Sequence, residues 1–535
     1  MVPHHYLGRG DGAIMKAGDS TGTQPLEQPT DGHGERSVAT GAGAPADADP
    51  DAGTDVGSAE ADAGTPAGTD PDAGADAVSA ADAGTPADTD PDAGADVASA
   101  GAGHDVVGPA GRLAGWFHRE APAVVVAGVL SVLSGYVVGA MHPYDIVVYH
   151  HEAQLVLAGD WHELLLRGYP IGADILFTIP VLLPLPYLWS FVVLAGVALW
   201  LLVRAGRSTP WPERWAKLVA AYLVVGCLSL VVGRYDIFAA ACAFVAVESA
   251  RRGRWRGAWA WSSVGFLLKL FPAVMWPGFL IAQWRSERRL SARQLAWPML
   301  ASALWGVPEL VATKGDLVAV AVARCPGRPL EIGSLAAGLS FLVHPTTAAW
   351  AQRCDSFSLV TGQSHTIFVA LVVAALGAGA LAWLAAAKGR MTVEEVALVA
   401  VTALLLGSSV LSAQYVMWLV PLWAYYRGRW QWFAASVLTA VGYPYLYALL
   451  SAPAIERHIA EPQHLPLLMA TAADFLVRDL LVAWGTLSWL VPRIAARRRG
   501  LDPATADRPA VGGSRWRWPG LSPGRAARPA TRNPT

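Results

Sequence analysis

Charge is scarce in this chain. Asp, Glu, Lys and Arg make up 15% of its 535 residues, where soluble domains carry roughly a quarter. Mean hydropathy is +0.35. So little charge excludes an ordinary solvated surface over much of the length. Met1 is not followed by a basic segment and a short apolar core, so no cleavable signal is expected, and the first apolar run should act as an uncleaved anchor. Nucleotide-binding motifs are missing too. The Gly-rich stretches lie in a polar tail, without the strand and helix that a phosphate-cradling loop needs. The net charge of −2 says little, because an acidic head cancels a basic end; no nucleic-acid partner and no cofactor are expected. His150 and His151 lack the spacing that places two imidazoles on one helix face, so no metal site is expected.

What is present divides the chain in three. Residues 1–110 are built mainly of Gly, Ala, Asp, Thr and Pro. Asp62–Ala81 and Asp82–Gly101 form a 20-residue repeat that lacks the large apolar residues stacked repeats would bury. Too little apolar surface is available there to offset chain entropy, so a disordered acidic tail is expected. Residues 111–492 carry run after run of apolar residues, each about 17–25 long, the length that crosses a bilayer. Residues 493–535 hold ten Arg, two Asp and many Pro. They read as a disordered basic tail that sets topology beside an anionic leaflet.

Seven basic clusters punctuate the chain: Arg112–Arg119, Arg204–Lys217, Arg251–Arg256, Arg285–Arg293, Lys388–Arg390, Arg427–Arg429 and Arg493–Arg499. Basic residues in short loops stay on the cytoplasmic side. With all seven inside, each interval must hold an even number of crossings, and the apolar runs allow it. The total is about twelve crossings, with both termini cytoplasmic in the plasma membrane. One interval, 257–284, is short for two spans and is broken at Lys269-Leu270-Phe271-Pro272. It reads as a pair of re-entrant half-helices, tolerated where protein surrounds the backbone. The expected fold is an all-α integral membrane bundle.

In this topology the breaks within the apolar intervals share the outer face. They bring Asp145, Tyr149, His150, His151, Glu152, Arg234, Tyr235, Asp236, Lys269, Glu331, Gln414 and Tyr415 to one boundary. His458, His464, Arg478 and Asp479 come from the last pair of spans. Ionisable groups at such depth are expensive and mark sites. Arg478 and Asp479 equally suit a structural ion pair. Cys227 and Cys242 lie within spans and read as packing residues. Cys325 and Cys354 fall in the outer 313–364 segment, an oxidising environment, and form a candidate disulfide.

Several pieces resemble glycosyltransferase family 87 of the GT-C superfamily, multi-span enzymes that include polyprenyl-phosphate-mannose-dependent mannosyltransferases. Tyr144-Asp145-Ile146-Val147-Val148-Tyr149 matches the family's Asp-x-x-x-Tyr, running on to Leu157-Ala158-Gly159. Phe177-Thr178-Ile179-Pro180-Val181 partly matches Phe-Thr-Tyr-Pro-Pro, and Lys269-Leu270-Phe271-Pro272 matches Lys-x-x-Pro. Gly233-Arg234-Tyr235-Asp236 stands where the family has Gly-Gln-x-Asn. Arg328-Pro329-Leu330-Glu331-Ile332-Gly333-Ser334 approximates Arg-x-x-Gln-x-x-Ser. Ser412-Ala413-Gln414-Tyr415-Val416-Met417-Trp418-Leu419-Val420-Pro421 is an intact Ser-x-Gln-Tyr-x-x-Trp-x-x-Pro, and Arg478-Asp479-Leu480-Leu481 resembles Arg-Asn-Leu-Leu. The resemblance spans roughly 140–490.

It implies an inverting transfer of a sugar, mannose being the expected one, from a polyprenyl phosphate to a glycolipid or cell-envelope glycan. Asp145 stands where the family places its catalytic carboxylate and would act as general base; its bland role is to cap the following helix. Lys269, Arg328, Arg478 and Arg234 are the cations that would hold the leaving phosphate. Lys269 could instead serve as partner to Glu331 or Asp236. Tyr149, His150, His151, Glu152, Asp236, Glu331, Gln414 and Tyr415 would face sugar or acceptor, with helix-end packing the alternative for Gln414 and Tyr415. The competing class is a transporter or flippase of a lipid-linked saccharide. Against it stand the lack of internal symmetry between the halves and the clustering of ionisable groups on one face.

Overall fold

A computed structural model describes residues 109–141, 144–160, 169–312, 314, 329–343, 349–353, 356–360, 364–450 and 465–501. The acidic repeats, Cys325, Arg328, Cys354, His458, His464 and the chain beyond 501 lie outside the described residues.

The described chain is predominantly helical. It opens with α1 (Pro109–Met141), α2 (Tyr144–Ala158), α3 (Ile171–Thr178) and α4 (Tyr187–Gly206). Next come α5 (Pro212–Gly226), α6 (Leu228–Gly233), α7 (Asp236–Arg251), α8 (Trp255–Leu268), α9 (Trp276–Glu287) and α10 (Ala292–Ala312). The second half holds α11 (Leu335–Val343), α12 (Ser364–Ala387), α13 (Val393–Leu406), α14 (Val420–Tyr425), α15 (Trp430–Ala440), α16 (Tyr447–Leu450) and α17 (Leu465–Arg498). Short 3-10 turns cover Ile179–Leu182, Phe271–Met275 and Ala413–Trp418.

Local chemistry sets several boundaries. Pro212 starts α5, where its missing N–H costs nothing. Thr392 and Glu395 form a reciprocal capping box at the start of α13. Lys269 stops α8 by turning extended, and Pro272 enters the 3-10 turn after it. Gly172, in the first turn of α3, lies so close to the end of α8 that an added Cβ would stand 2.6 Å from the Leu267 carbonyl oxygen. That contact presses α3 against the break at Lys269.

Helices α7 and α8 pack on each other, as do α1 with α4 and α15 with α17. The main core runs through α4, α7, α8, α13 and α14, with Trp215, Trp259, Trp423 and Trp432 fully buried. Outside it the usual polarity is inverted. On α12, Val373, Leu376, Leu381 and Leu384 are all well exposed. Three of the described helical stretches are long and apolar enough to cross a membrane: Glu120–Ala140, Tyr187–Gly206 and His365–Ala387. Only 11% of the apolar window in the last is buried.

Two details add to the expected all-α fold. The all-α fold carries a small antiparallel sheet of β1 (Leu330–Glu331), β2 (Ala349–Arg353) and β3 (Ser356–Val360), in the order β1-β3-β2. Leu330 pairs with Leu359 and Glu331 with Ser358. The sheet buries Leu330, Phe357 and Leu359 against Leu468 and Phe475 of α17, a patch that the strands and α11 could not cover alone. The basic tail also begins later than residue 493, because α17 continues to Arg498. Arg493 and Arg497 both bind Glu395, at 3.2 and 2.5 Å, and this fixes the last turns of the helix.

Candidate functional site at the 234–236 turn

Two residues, Arg234 and Tyr235, separate α6 from α7. The turn sends charges of opposite sign to separate partners. Arg234 Nη1 donates to Asp145 Oδ1 in the first turn of α2. Asp236 opens α7 and accepts from Lys269 Nζ at 2.6 Å and from Trp418 Nε1–H at 2.8 Å, both on Oδ1. Both carboxylates thus sit at helix N-termini, where backbone N–H groups favour negative charge.

Aromatic rings enclose the turn. The Lys269 ammonium lies 4.8 Å from the Tyr235 ring centre, 4.6 Å from Tyr415 and 5.3 Å from Trp418, within cation–π range. Tyr415 stacks on Trp418 at 4.4 Å, and Trp418 on Phe271 at 4.0 Å. Beneath Asp145, Tyr149 stacks on Phe177 at 4.3 Å and meets Tyr169 and Tyr235 edge-on. Burial holds the Tyr149 and Tyr169 phenols above their ordinary range, so both stay neutral.

The two ion pairs differ in access. Asp236 is 1% exposed and clamped from two sides, whereas the Asp145 and Arg234 side chains are 16% and 22% exposed. Burial raises the Asp145 carboxyl above the usual carboxylate range, and Arg234 opposes that rise. Each pair leaves hydrogen-bonding capacity unused: Nε of Arg234 is buried with no acceptor, and Oδ2 of Asp236 is buried with no donor. The arrangement offers a partly exposed carboxylate, a guanidinium whose Nε–H has no acceptor and a ring-lined ammonium.

The remaining predicted residues are placed as follows. His150 stacks on Tyr187 at 4.5 Å, His151 is half-buried, and Glu152 is buried on the same helix. Glu331 accepts from Ser412 Oγ–H at 2.6 Å, and its N–H donates to the Ser409 carbonyl at 3.0 Å. Gln414 is buried at the start of its 3-10 turn. Arg478 is fully buried: its Nε donates to Asp479 at 2.8 Å and its Nη2 to the Gly333 carbonyl at 2.7 Å and the Leu411 carbonyl at 3.2 Å. Those bonds tie α17 to two loops and match the structural ion pair better than a ligand cation. Arg328 and the Cys325–Cys354 pairing lie outside the described residues. Cys227 and Cys242 are buried free thiols. Among the described residues no group of three His, Cys, Asp or Glu side chains is placed to hold a metal ion.

Sequence reasoning passed over three members. Trp418 lies inside the Ser-x-Gln-Tyr-x-x-Trp-x-x-Pro element, and its indole N–H was legible as a donor needing a partner. Tyr443, whose ring lies 5.6 Å from the Arg234 guanidinium carbon, sits at a kink with no motif to mark it. Asp474, one helical turn before Arg478, keeps Oδ2 buried without a partner; its i,i+4 spacing from an arginine was the available signal. No family model, curated protein or solved structure matches this chain.

Proposed function

We propose that this chain is an integral membrane glycosyltransferase that moves a sugar, mannose in the first instance, from a polyprenyl phosphate to a glycolipid or glycan. The supporting observation is the Asp145–Arg234 pair: a partly exposed carboxylate bound to a guanidinium whose Nε–H still lacks an acceptor. An acceptor hydroxyl attacking the anomeric carbon must lose its proton, and Asp145 is the carboxylate placed to take it. As the new C–O bond forms, the bond from C1 to the phosphate oxygen breaks and its electron pair leaves on the phosphate. Arg234 and the ring-lined Lys269 supply positive charge for that leaving group.

In this proposal the seven basic clusters face the cytoplasm, about twelve crossings are made, and the 234–236 turn opens on the outer side of the plasma membrane. The apolar exposure of α12 supports embedding in lipid. The test is transfer of labelled sugar from polyprenyl-phosphate-mannose to a glycolipid extract by purified protein in lipid. Transfer by wild type and its loss in Asp145→Asn is the expected result. Equal transfer by both would remove Asp145 from the mechanism. No transfer by wild type with any polyprenyl sugar would end the enzyme reading.

A further inference from the structure

Each of the three cations drawn from the predicted site already holds a carboxylate, so an incoming phosphate meets no bare cation among them. Arg478 is fully buried and holds one carboxylate and two carbonyls. Lys269 is bound to a carboxylate that is 1% exposed and that Trp418 also holds. Arg234 differs. It binds Asp145 through Nη1 alone, while its Nε is buried with no acceptor. A guanidinium presents two N–H groups along its Nε–Nη2 edge, the spacing that suits two oxygens of one phosphate. A phosphate oxygen on that edge would give the buried Nε–H its missing acceptor without breaking the Asp145 bond.

We propose, resting on the transferase reading, that Arg234 is a shared arm that couples the donor phosphate to the general base. One guanidinium then serves two anions. Without donor, its charge is committed to Asp145 and holds that carboxylate as a weak base. With donor phosphate on the Nε–Nη2 edge, the charge is divided and a second anion stands near Asp145. Two like charges at one cation raise each other's proton affinity. The carboxylate therefore becomes a stronger proton acceptor when a leaving group is in place. The acceptor hydroxyl proton passes to Asp145, and the electron pair of the broken bond from C1 to oxygen stays on the phosphate that Arg234 holds. Arg234 positions the base and binds the leaving group through different nitrogens.

Binding free energies are reciprocal, so the coupling has a signature that needs no sugar transfer. If phosphate makes Asp145 more basic, then removing the Asp145 charge must tighten phosphate. The experiment titrates a short-chain polyprenyl monophosphate, carrying no sugar, into the full chain in lipid nanodiscs and follows tryptophan fluorescence. Wild type, Asp145→Asn, Arg234→Gln and the double variant are compared. Asp145→Asn should lower Kd about fivefold or more. Arg234→Gln should raise Kd about tenfold and should cancel the effect of adding Asp145→Asn. Arg234→Lys, which keeps the charge and loses the forked edge, guards against a variant that fails to fold. It should bind several-fold more weakly than wild type and still respond to Asp145→Asn.

An unchanged or higher Kd in Asp145→Asn, or the same fold-change in both Arg234 backgrounds, would overturn the coupling. So would wild-type affinity in Arg234→Lys. Coupling present in a protein that transfers no sugar would leave the shared arm standing and remove the transferase reading.

Discussion

Asp145 answers to two opposed influences, burial that favours its neutral form and Arg234 that favours its charge. As general base it works only when ionised, so transfer should rise with pH, with its acid limb above the ordinary carboxylate range. Arg234→Gln removes the group that holds the proton affinity down, so the acid limb should move to higher pH. A pH–rate profile of both proteins checks the sign: a limb that moves to lower pH would be incompatible with this account. Asp145→Asn should lower the rate by about 10²- to 10⁴-fold. Lys269 poses a different problem. Its replacement by Met leaves Asp236 charged, 1% exposed and uncompensated, at a cost of about 3–5 kcal/mol. Adding Asp236→Asn should recover much of that loss, as thermal unfolding in detergent would show. The Lys269–Asp236 pairing was one of two partners the sequence allowed. The Asp145–Arg234 contact was not legible, because it joins positions 89 residues apart and neither helix carries a local signal of the other.

At the scale of elements, the breaks were the readable part. Gly233-Arg234-Tyr235-Asp236, Lys269-Leu270-Phe271-Pro272 and Ser412-Ala413-Gln414-Tyr415 each interrupt an apolar run, and each falls where helix gives way to turn. Charge and proline inside a hydrophobic stretch can be read without tertiary knowledge. The sheet was harder. Ser356-Phe357-Ser358-Leu359 does alternate, but β3 is only five residues long, and its stability comes from α17, about a hundred residues later. The joint between that sheet and the core is tight. A Cβ on Gly333 would stand 2.6 Å from the Leu411 carbonyl oxygen, one of the two carbonyls that Arg478 binds. Gly333→Ala should therefore destabilise by about 1–3 kcal/mol through overpacking, read as a lower Tm. An unchanged Tm would mean that this joint can yield.

At the scale of the whole molecule, the proposed topology places Asp160 outside and Gly253 inside, and both are exposed. In a background without Cys325 and Cys354, a membrane-impermeant maleimide should label Asp160→Cys in intact cells and reach Gly253→Cys only after lysis. Labelling of both from outside would invert or dismantle the topology. The helical character and the long apolar stretches were readable from the apolar runs. The closure of the C-terminal helix was not, since Arg493 and Arg497 looked like the start of a free tail. Their grip on Glu395 bears on how the chain is assembled. A ribosome completes Glu395 102 residues before it adds Arg497. Until Arg493 and Arg497 follow, the carboxylate has only its own helix cap to answer it, through the Thr392 N–H at 2.9 Å. The bundle can lock only when the last turns of α17 emerge, so a chain stopped after Pro492 should reach the membrane complete in its crossings yet unlatched, an early substrate for quality-control proteolysis.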